Sequence, residues 1–229
     1  MALTAVKKQS AEQLATEALR KQIVSGEILP GTRITEVSLS DQLSLSRGTI
    51  RIALYQLAQE GLVKQTPFTG WATASIETED LWELYTLRAG LEGTAARILC
   101  ERMDHERERV LTSAFTNLLT ACSGGKYHII ADKDFLLHRT IVDLAGNKRL
   151  AEHYRLVEQQ IRIFVASTYN FVAKPQDVVN HHQPFIDALV ARDANLIEKL
   201  LREHAIGEGS KLYQHLSSVR DGTDTQAQR

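Results

Sequence analysis

The 229-residue chain reads as a mostly α-helical protein: an N-terminal winged helix-turn-helix followed by an antiparallel α-helical bundle. Three observations predict this. Two short helical segments meet across a tight corner within ITEVSLSDQLSLSRGTIRIALYQLAQEGL, residues 34–62. Two strand-like runs, Leu62-Val63-Lys64 and Trp71-Ala72-Thr73, flank the turn-forming QTPFTG. Beyond residue 77 strand signals vanish, and segments of helical period run to about residue 217.

The elements follow in order. Ser10 to Ser25 carries Leu14, Ala15, Ala18, Leu19 and Ile23 at helical spacing; Ser10 with Gln13 makes a capping box, and Gly26 closes the helix. Leu29-Pro30-Gly31 is a turn. Glu36 to Leu43 is a short helix, Ser44-Leu45 the corner, and Ser46 to Glu60 the second helix, capped by Ser46 and stopped by Gly61. Ile50, Ala53, Leu54 and Leu57 form its apolar stripe. Arg47 and Arg51 share another face, with Thr49 between them. Arginines near the start of such a helix suit guanine edges or phosphates in a major groove, although an exposed pair is equally at home on a plain solvated surface.

Ser75 to Asp80 is a polar junction in which Thr78 can cap the next helix, so the domains are expected at 1–76 and 77–229. Helical segments are expected near 79–102, 105–122, 127–145, 148–169, 175–191 and 194–217, with a polar tail from Ser217 that frays. Stops occur at Gly124-Gly125, Gly146-Asn147, Lys174-Pro175 and Asp193. Leu81, Leu84, Leu87, Leu91, Ala95 and Leu99 make the buried stripe of the first. Asp134 and His138, four apart, can ligate one metal from one helical face. His182 lies on the inward stripe with Phe185, Ile186 and Leu189, while His181 is rotated outward. His204 follows Leu200 and Leu201 on the last helix. One Asp and three His on three helices make a metal-site inventory, though each His alone also fits a hydrogen-bonded core position. His105, His128, His153 and His215 show no such arrangement and are expected on the surface.

Bulk properties bound the rest. Net charge is −1, with 8 Lys+Arg against 6 Asp+Glu in residues 1–76 and 19 against 22 in residues 77–229. Phosphate-driven affinity per subunit is therefore modest, and two heads in one dimer would double the contacts. No apolar run reaches the ~18 residues of a membrane span, and no signal-peptide core opens the chain, so a cytoplasmic location is expected. Cys100 and Cys122 are isolated and read as reduced, buried thiols.

Residues 10–75 resemble the winged helix of GntR-type bacterial transcription regulators, through IVSGEILPGTRI, LSLSRGTIRIAL, LAQEGLV and Gly70 in the wing. The resemblance implies DNA contacts from Arg33, Arg47, Thr49, Arg51 and Gly70 to a double-stranded operator, made by a homodimer. The family usually has Gly where Ser44 sits, Thr-Pro where Gly48-Thr49 sits, and Glu where Ile52 sits. These departures lie on or beside the reading helix and bear on the operator sequence, not on the fold.

Residues 79–217 resemble the FCD effector domain of the FadR-like branch, through LYTLRAGLEGTAARI, DKDFLLH, LAGN, HHQPFIDALVARD and LLREH. That resemblance implies one divalent metal ion (zinc, nickel or manganese) held by Asp134, His138, His182 and His204. It also implies Arg88, with Glu92 one turn on, as the clamp for a small organic acid effector. His181 stands where the family usually has an acidic residue. The implied function is a ligand-responsive transcription regulator and not an enzyme; a metalloenzyme or a pure metal sensor would use the same Asp/His set.

Overall fold

The computed structural model describes residues 10–75, 78–167 and 174–227. The chain folds as two units, residues 1–76 with 162–167, and residues 77–161 with 168–229. Helix α1 spans Ala11–Val24, α2 Glu36–Leu43 and α3 Arg47–Gln59; strands β1 Arg33–Ile34, β2 Val63–Thr66 and β3 Gly70–Thr73 complete the first unit's elements. The second contains α4 Thr78–Glu101, α5 His105–Gly124, α6 Tyr127–Leu144, α8 Pro175–Val190 and α9 Ala194–Ala227, with most of α7, Lys148–Ser167.

Caps set the helix boundaries of the first unit. Ser10 Oγ accepts from Gln13 N, and the Gln13 side chain accepts from Ser10 N, the reciprocal box expected. Thr35 caps α2 and Ser46 caps α3, each side chain accepting from the amide three residues on. The corner between α2 and α3 turns on Ser44, which adopts φ 52, a left-handed conformation that favours glycine. Strand β3 lies between its antiparallel partners, in the order β1-β3-β2. Arg33 faces Ala72 on one side, and Thr66 faces Gly70 on the other. The wing strands are longer than the expected runs. Strand β1 is an addition to the expected elements: two residues carry no periodicity of their own, and only pairing with β3 defines them.

The first unit's core gathers Leu19, Ile23, Leu39, Ile50, Leu54, Leu57, Leu62, Trp71 and Ile163. Burial of each such side chain contributes about 1.5–3 kcal/mol. On α1 the stripe is narrower than expected. Leu14 and Ala18 are exposed, while Thr16 is buried, its hydroxyl donating to the Glu12 carbonyl at 2.8 Å.

In the second unit α4 packs against α6 and α9, α5 against α6 and α8, and α8 against α9. Leu99, Leu111, Leu118, Ile141, Phe185, Leu189, Ile197 and Leu201 fill the space between them. Gly125 (φ 66) and Gly146 (φ 72) end α5 and α6 in the left-handed region. Asp193 Oδ1 caps α9 by accepting from Leu196 N at 2.9 Å.

Three expectations are corrected here. Leu87 is exposed; the buried face of α4 instead runs through Leu81, Tyr85, Arg88, Glu92, Ala95 and Leu99, a 4-3-4-3-4 spacing whose two charged members an apolar template skips. Helix α9 continues to Ala227, past its expected end near residue 217. His215 is half-buried, not on the surface. Residues 76 and 77, within the expected 75–80 junction and just before Thr78, the expected cap and in the structure the first residue of α4, lie outside the described residues, as do 168–169 at the expected end of α7.

Helices α4 and α9 meet closely at Gly209. A Cβ there would lie 2.7 Å from both Cβ and Cγ of Tyr85, so glycine lets α9 approach the helix that carries Arg88 and Glu92.

Candidate DNA-reading surface and candidate metal centre

Helix α3 buries Ile50, Ala53, Leu54 and Leu57, which leaves Arg47, Arg51, Ile52 and Tyr55 outward. Arg47 is exposed at its first turn. Thr49 Oγ1 lies 2.9 Å from the capping hydroxyl of Ser46, so it is tied into the helix start. Arg51 is held: its Nε and Nη2 donate to Glu36 Oε1 and Oε2 at 2.9 and 2.7 Å. Glu36 Oε1 also accepts from Trp71 Nε1 at 3.3 Å, and Tyr55 meets the Trp71 ring edge-on at 5.0 Å. The guanidinium holds the Glu36 carboxyl below its ordinary range. Sequence reasoning missed Glu36, whose partner lies fifteen residues away on the next helix. Arg33 is exposed on β1, and Gly70 opens β3 at φ 95, beyond a wing turn in which Phe68 is fully exposed.

The second site lies inside the helical unit. His138 on α6 and His182 on α8 are buried, with Nε2 atoms 3.1 Å apart. The remaining nitrogen of each ring is committed elsewhere: His138 Nδ1 lies 2.9 Å from Glu92 Oε2, and His182 Nδ1 donates to the Val178 carbonyl at 2.7 Å. Pro184 has no amide hydrogen, so the helix around His182 lacks one regular bond there. His204 on α9 stacks on His138 at 5.1 Å and meets His182 edge-on at 4.8 Å. One nitrogen from each of the three rings lies within 4.8 Å of the others. Asp134, one turn before His138, joins through an ion pair with His182 Nε2 at 2.8 Å. His181 is exposed, its ring 6.4 Å from that of His204. Three convergent nitrogens, two of them on rings whose outer sides are already hydrogen-bonded, and a carboxylate beside them, are a donor set that fits one divalent ion.

Beside the imidazoles runs a chain of buried polar groups. Arg88 Nε donates to Glu92 Oε1 at 2.7 Å, and the Tyr154 hydroxyl donates to the same oxygen at 2.8 Å. Arg88 Nη2 is buried without a hydrogen-bond partner. The Arg88 guanidinium sits 5.7 Å from the Tyr85 ring centre and 5.9 Å from that of Phe135. Burial alone would raise the Glu92 carboxyl, but Arg88 and His138 outweigh it and hold the group ionised. Asp134 behaves likewise: burial raises it, and the neighbouring imidazoles, His182 above all, carry it well below the ordinary carboxylate range. Burial lowers His182, yet Asp134 and the Val178 carbonyl raise it overall; His204, half-buried, is pushed well down by desolvation and by the other two rings and Arg88. Glu92 was visible in the sequence only as the i+4 partner of Arg88. Its contacts with His138 and Tyr154, 46 and 62 residues away, carry no local signal.

Comparison with known proteins agrees with this two-part architecture. The family described as bacterial regulatory proteins, gntR family, matches residues 11–72, and the FCD domain matches residues 83–206. The Nta operon transcriptional regulator of Aminobacter aminovorans is 34% identical over 143 residues, covering 61% of this chain and 66% of that protein. The HTH-type transcriptional repressor GlaR of Escherichia coli (strain K12) is 27% identical over 203 residues, covering 82% and 89%. In fold, the solved E. coli McbR/YncC superposes with a TM-score of 0.77 at 21% identity, covering 91% of this chain and all of that one. Among the described residues no helix is long and apolar enough to cross a membrane. The matched families are transcription regulators, not enzymes; the chain belongs to the FCD-domain branch of the GntR family and is a DNA-binding transcription regulator.

Proposed function

We propose that operator binding by this regulator is controlled by a small organic acid, held in the helical domain between Arg88 and one divalent metal ion. The observation that carries this is Arg88: a buried guanidinium with Nη2 unpartnered, in one hydrogen-bonded chain with His138 and His182, whose rings converge with that of His204. An unpartnered buried donor is costly, and guanidinium matches a carboxylate. Asp134, His138, His182 and His204 would hold the metal, zinc, nickel or manganese. It would supply a Lewis-acidic anchor for the effector's oxygen atoms. Arg33, Arg47, Thr49, Arg51 and Gly70 would face a palindromic operator, read by a homodimer in the cytoplasm. The division at residue 76/77 would separate reading from sensing.

A thermal-shift screen of small organic acids, with and without a chelator, tests the reading. Acid-dependent stabilisation that needs both the metal and Arg88 is expected. Stabilisation and DNA release that follow metal alone would instead make the protein a metal sensor. No shift with any acid or with zinc, nickel or manganese would overturn the effector reading and leave DNA binding untouched.

A further inference from the structure

Glu92 is fully buried, and its carboxylate is surrounded by donors from three helices. Oε1 accepts from Arg88 Nε at 2.7 Å and from the Tyr154 hydroxyl at 2.8 Å, while Oε2 lies 2.9 Å from His138 Nδ1. We propose that Glu92 is the positioning residue of the centre. Through Oε2 it keeps the His138 proton on Nδ1, so that Nε2 presents a lone pair to a divalent cation. Through Oε1 it holds the Arg88 guanidinium, so that Nη2 remains available to an anion. This rests on the metal reading above and adds a residue that touches neither the cation nor the effector.

The argument is one of donors and acceptors. Neutral imidazole has one N–H and one lone pair. An ionised carboxylate only accepts, so the ring nitrogen facing Glu92 carries the proton. The opposite nitrogen, the one 3.1 Å from His182 Nε2, is then the acceptor. His182 Nδ1 likewise donates to the Val178 carbonyl, but its Nε2 also faces Asp134 Oδ1 at 2.8 Å and carries a proton there, which a cation would displace. Both rings turn Nε2 toward the space they share with His204. A carboxylate behind a ligating imidazole also raises its basicity. The negative charge this requires in a buried place is tolerated because Arg88, one turn earlier on α4, neutralises it.

The test uses the full chain. Imidazole ¹⁵N resonances of the chelator-treated protein, with His138 assigned by its loss in His138→Gln, report which nitrogen is protonated. The Nδ1–H pattern is expected, and an Nε2–H pattern in the wild type overturns the proposal. Glu92→Gln, which keeps shape but loses the obligate acceptor, is expected to change that pattern and to weaken zinc affinity by about 10- to 100-fold. Tyr154→Phe removes one donor from Oε1 while Arg88 stays on that oxygen and His138 on Oε2; it is expected to lower zinc affinity by less than about ten-fold, below the range for Glu92→Gln. Equal losses in both variants, or no change of pattern and affinity in Glu92→Gln, overturn the positioning role. Should the wild type take up no zinc, nickel or manganese, the metal reading fails by itself, and the His138 tautomer decides the role of Glu92. That measurement needs no change at Glu92, so it also decides if Glu92→Gln does not fold.

Discussion

Arg51 on α3 is gripped at both guanidinium nitrogens by Glu36 on α2, at 2.9 and 2.7 Å. The pair is more than half exposed on its arginine side, so it contributes little to stability. Its consequence is orientation. A side chain with four rotatable bonds is fixed across the outer face of the reading helix, and Trp71 fixes the carboxylate in turn. If Arg51 reads a base, Arg51→Ala is expected to weaken specific operator binding roughly 10- to 100-fold. If Arg47 contacts a phosphate, Arg47→Ala is expected to weaken all sequences alike and to lower the salt slope by about one. Fluorescence anisotropy at several salt concentrations separates the two. Wild-type affinity in both variants would show that the arginines face only solvent.

Ser44 occupies a left-handed corner at φ 52 where the family usually has glycine. An L-residue there carries about 1–2 kcal/mol of strain. Glycine relieves it and returns part of the gain as extra freedom in the unfolded chain. Ser44→Gly is therefore expected to stabilise the protein by up to about 1 kcal/mol. The check is a higher urea midpoint with an unchanged slope; a lower midpoint would mean that the corner is not strained.

Gly207 and Gly209 lie two residues apart on α9 and predict opposite outcomes. A Cβ at Gly207 meets nothing within 4 Å, whereas one at Gly209 lands 2.7 Å from Tyr85. Gly207→Ala is expected to gain about 0.5–1 kcal/mol from helix propensity. Gly209→Ala is expected to lose about 1–3 kcal/mol from overpacking between α4 and α9. Thermal unfolding of the two variants side by side decides it, and stabilisation by both would place Tyr85 away from Gly209.

Most of the fold was legible in the sequence because its signals are local. Caps such as Ser10 and Ser46, and glycine stops such as Gly125 and Gly146, mark helix ends within a few residues. The placement of Leu87 failed for a physical reason. A bundle that keeps charge inside its core puts Arg88 and Glu92 where an apolar stripe expects leucine, and the leucine beside them turns outward. The convergence of His138, His182 and His204 was approachable through the inward stripes of three helices. Glu36 and Glu92 were not approachable in that way, because what each does depends on a partner in a distant element. Strand β1 shows the same limit, since its two residues become a strand only when β3 lies beside them.

Protons compete with a metal for the candidate centre, and the two half-sites differ in how strongly. Burial opposes charge on His182, but Asp134 at 2.8 Å prevails, so its folded value lies above the ordinary one, about 6.5 for a free histidine. In metal-free protein the His182–Asp134 pair thus adds stability that is fully present below that ordinary value. This stability disappears as pH rises through the raised folded value. His204 has the opposite sign: burial and its neighbours keep it neutral to well below the ordinary value, so its nitrogen stays available at lower pH. Because ligation needs neutral imidazole, His182 sets the upper edge of competition. Zinc affinity is expected to begin falling above pH 6.5 as the solution is acidified from pH 8, at about tenfold per pH unit for one displaced proton. Asp134→Asn removes the partner that raises His182, so it is expected to move the onset of this fall to lower pH while lowering the plateau affinity by loss of a ligand. Competition titrations with a chromogenic chelator from pH 8 to pH 5.5 measure both quantities. An affinity that stays flat down to pH 6 in the wild type, or an onset unmoved in Asp134→Asn, would mean that His182 is not the ligand whose proton the metal displaces.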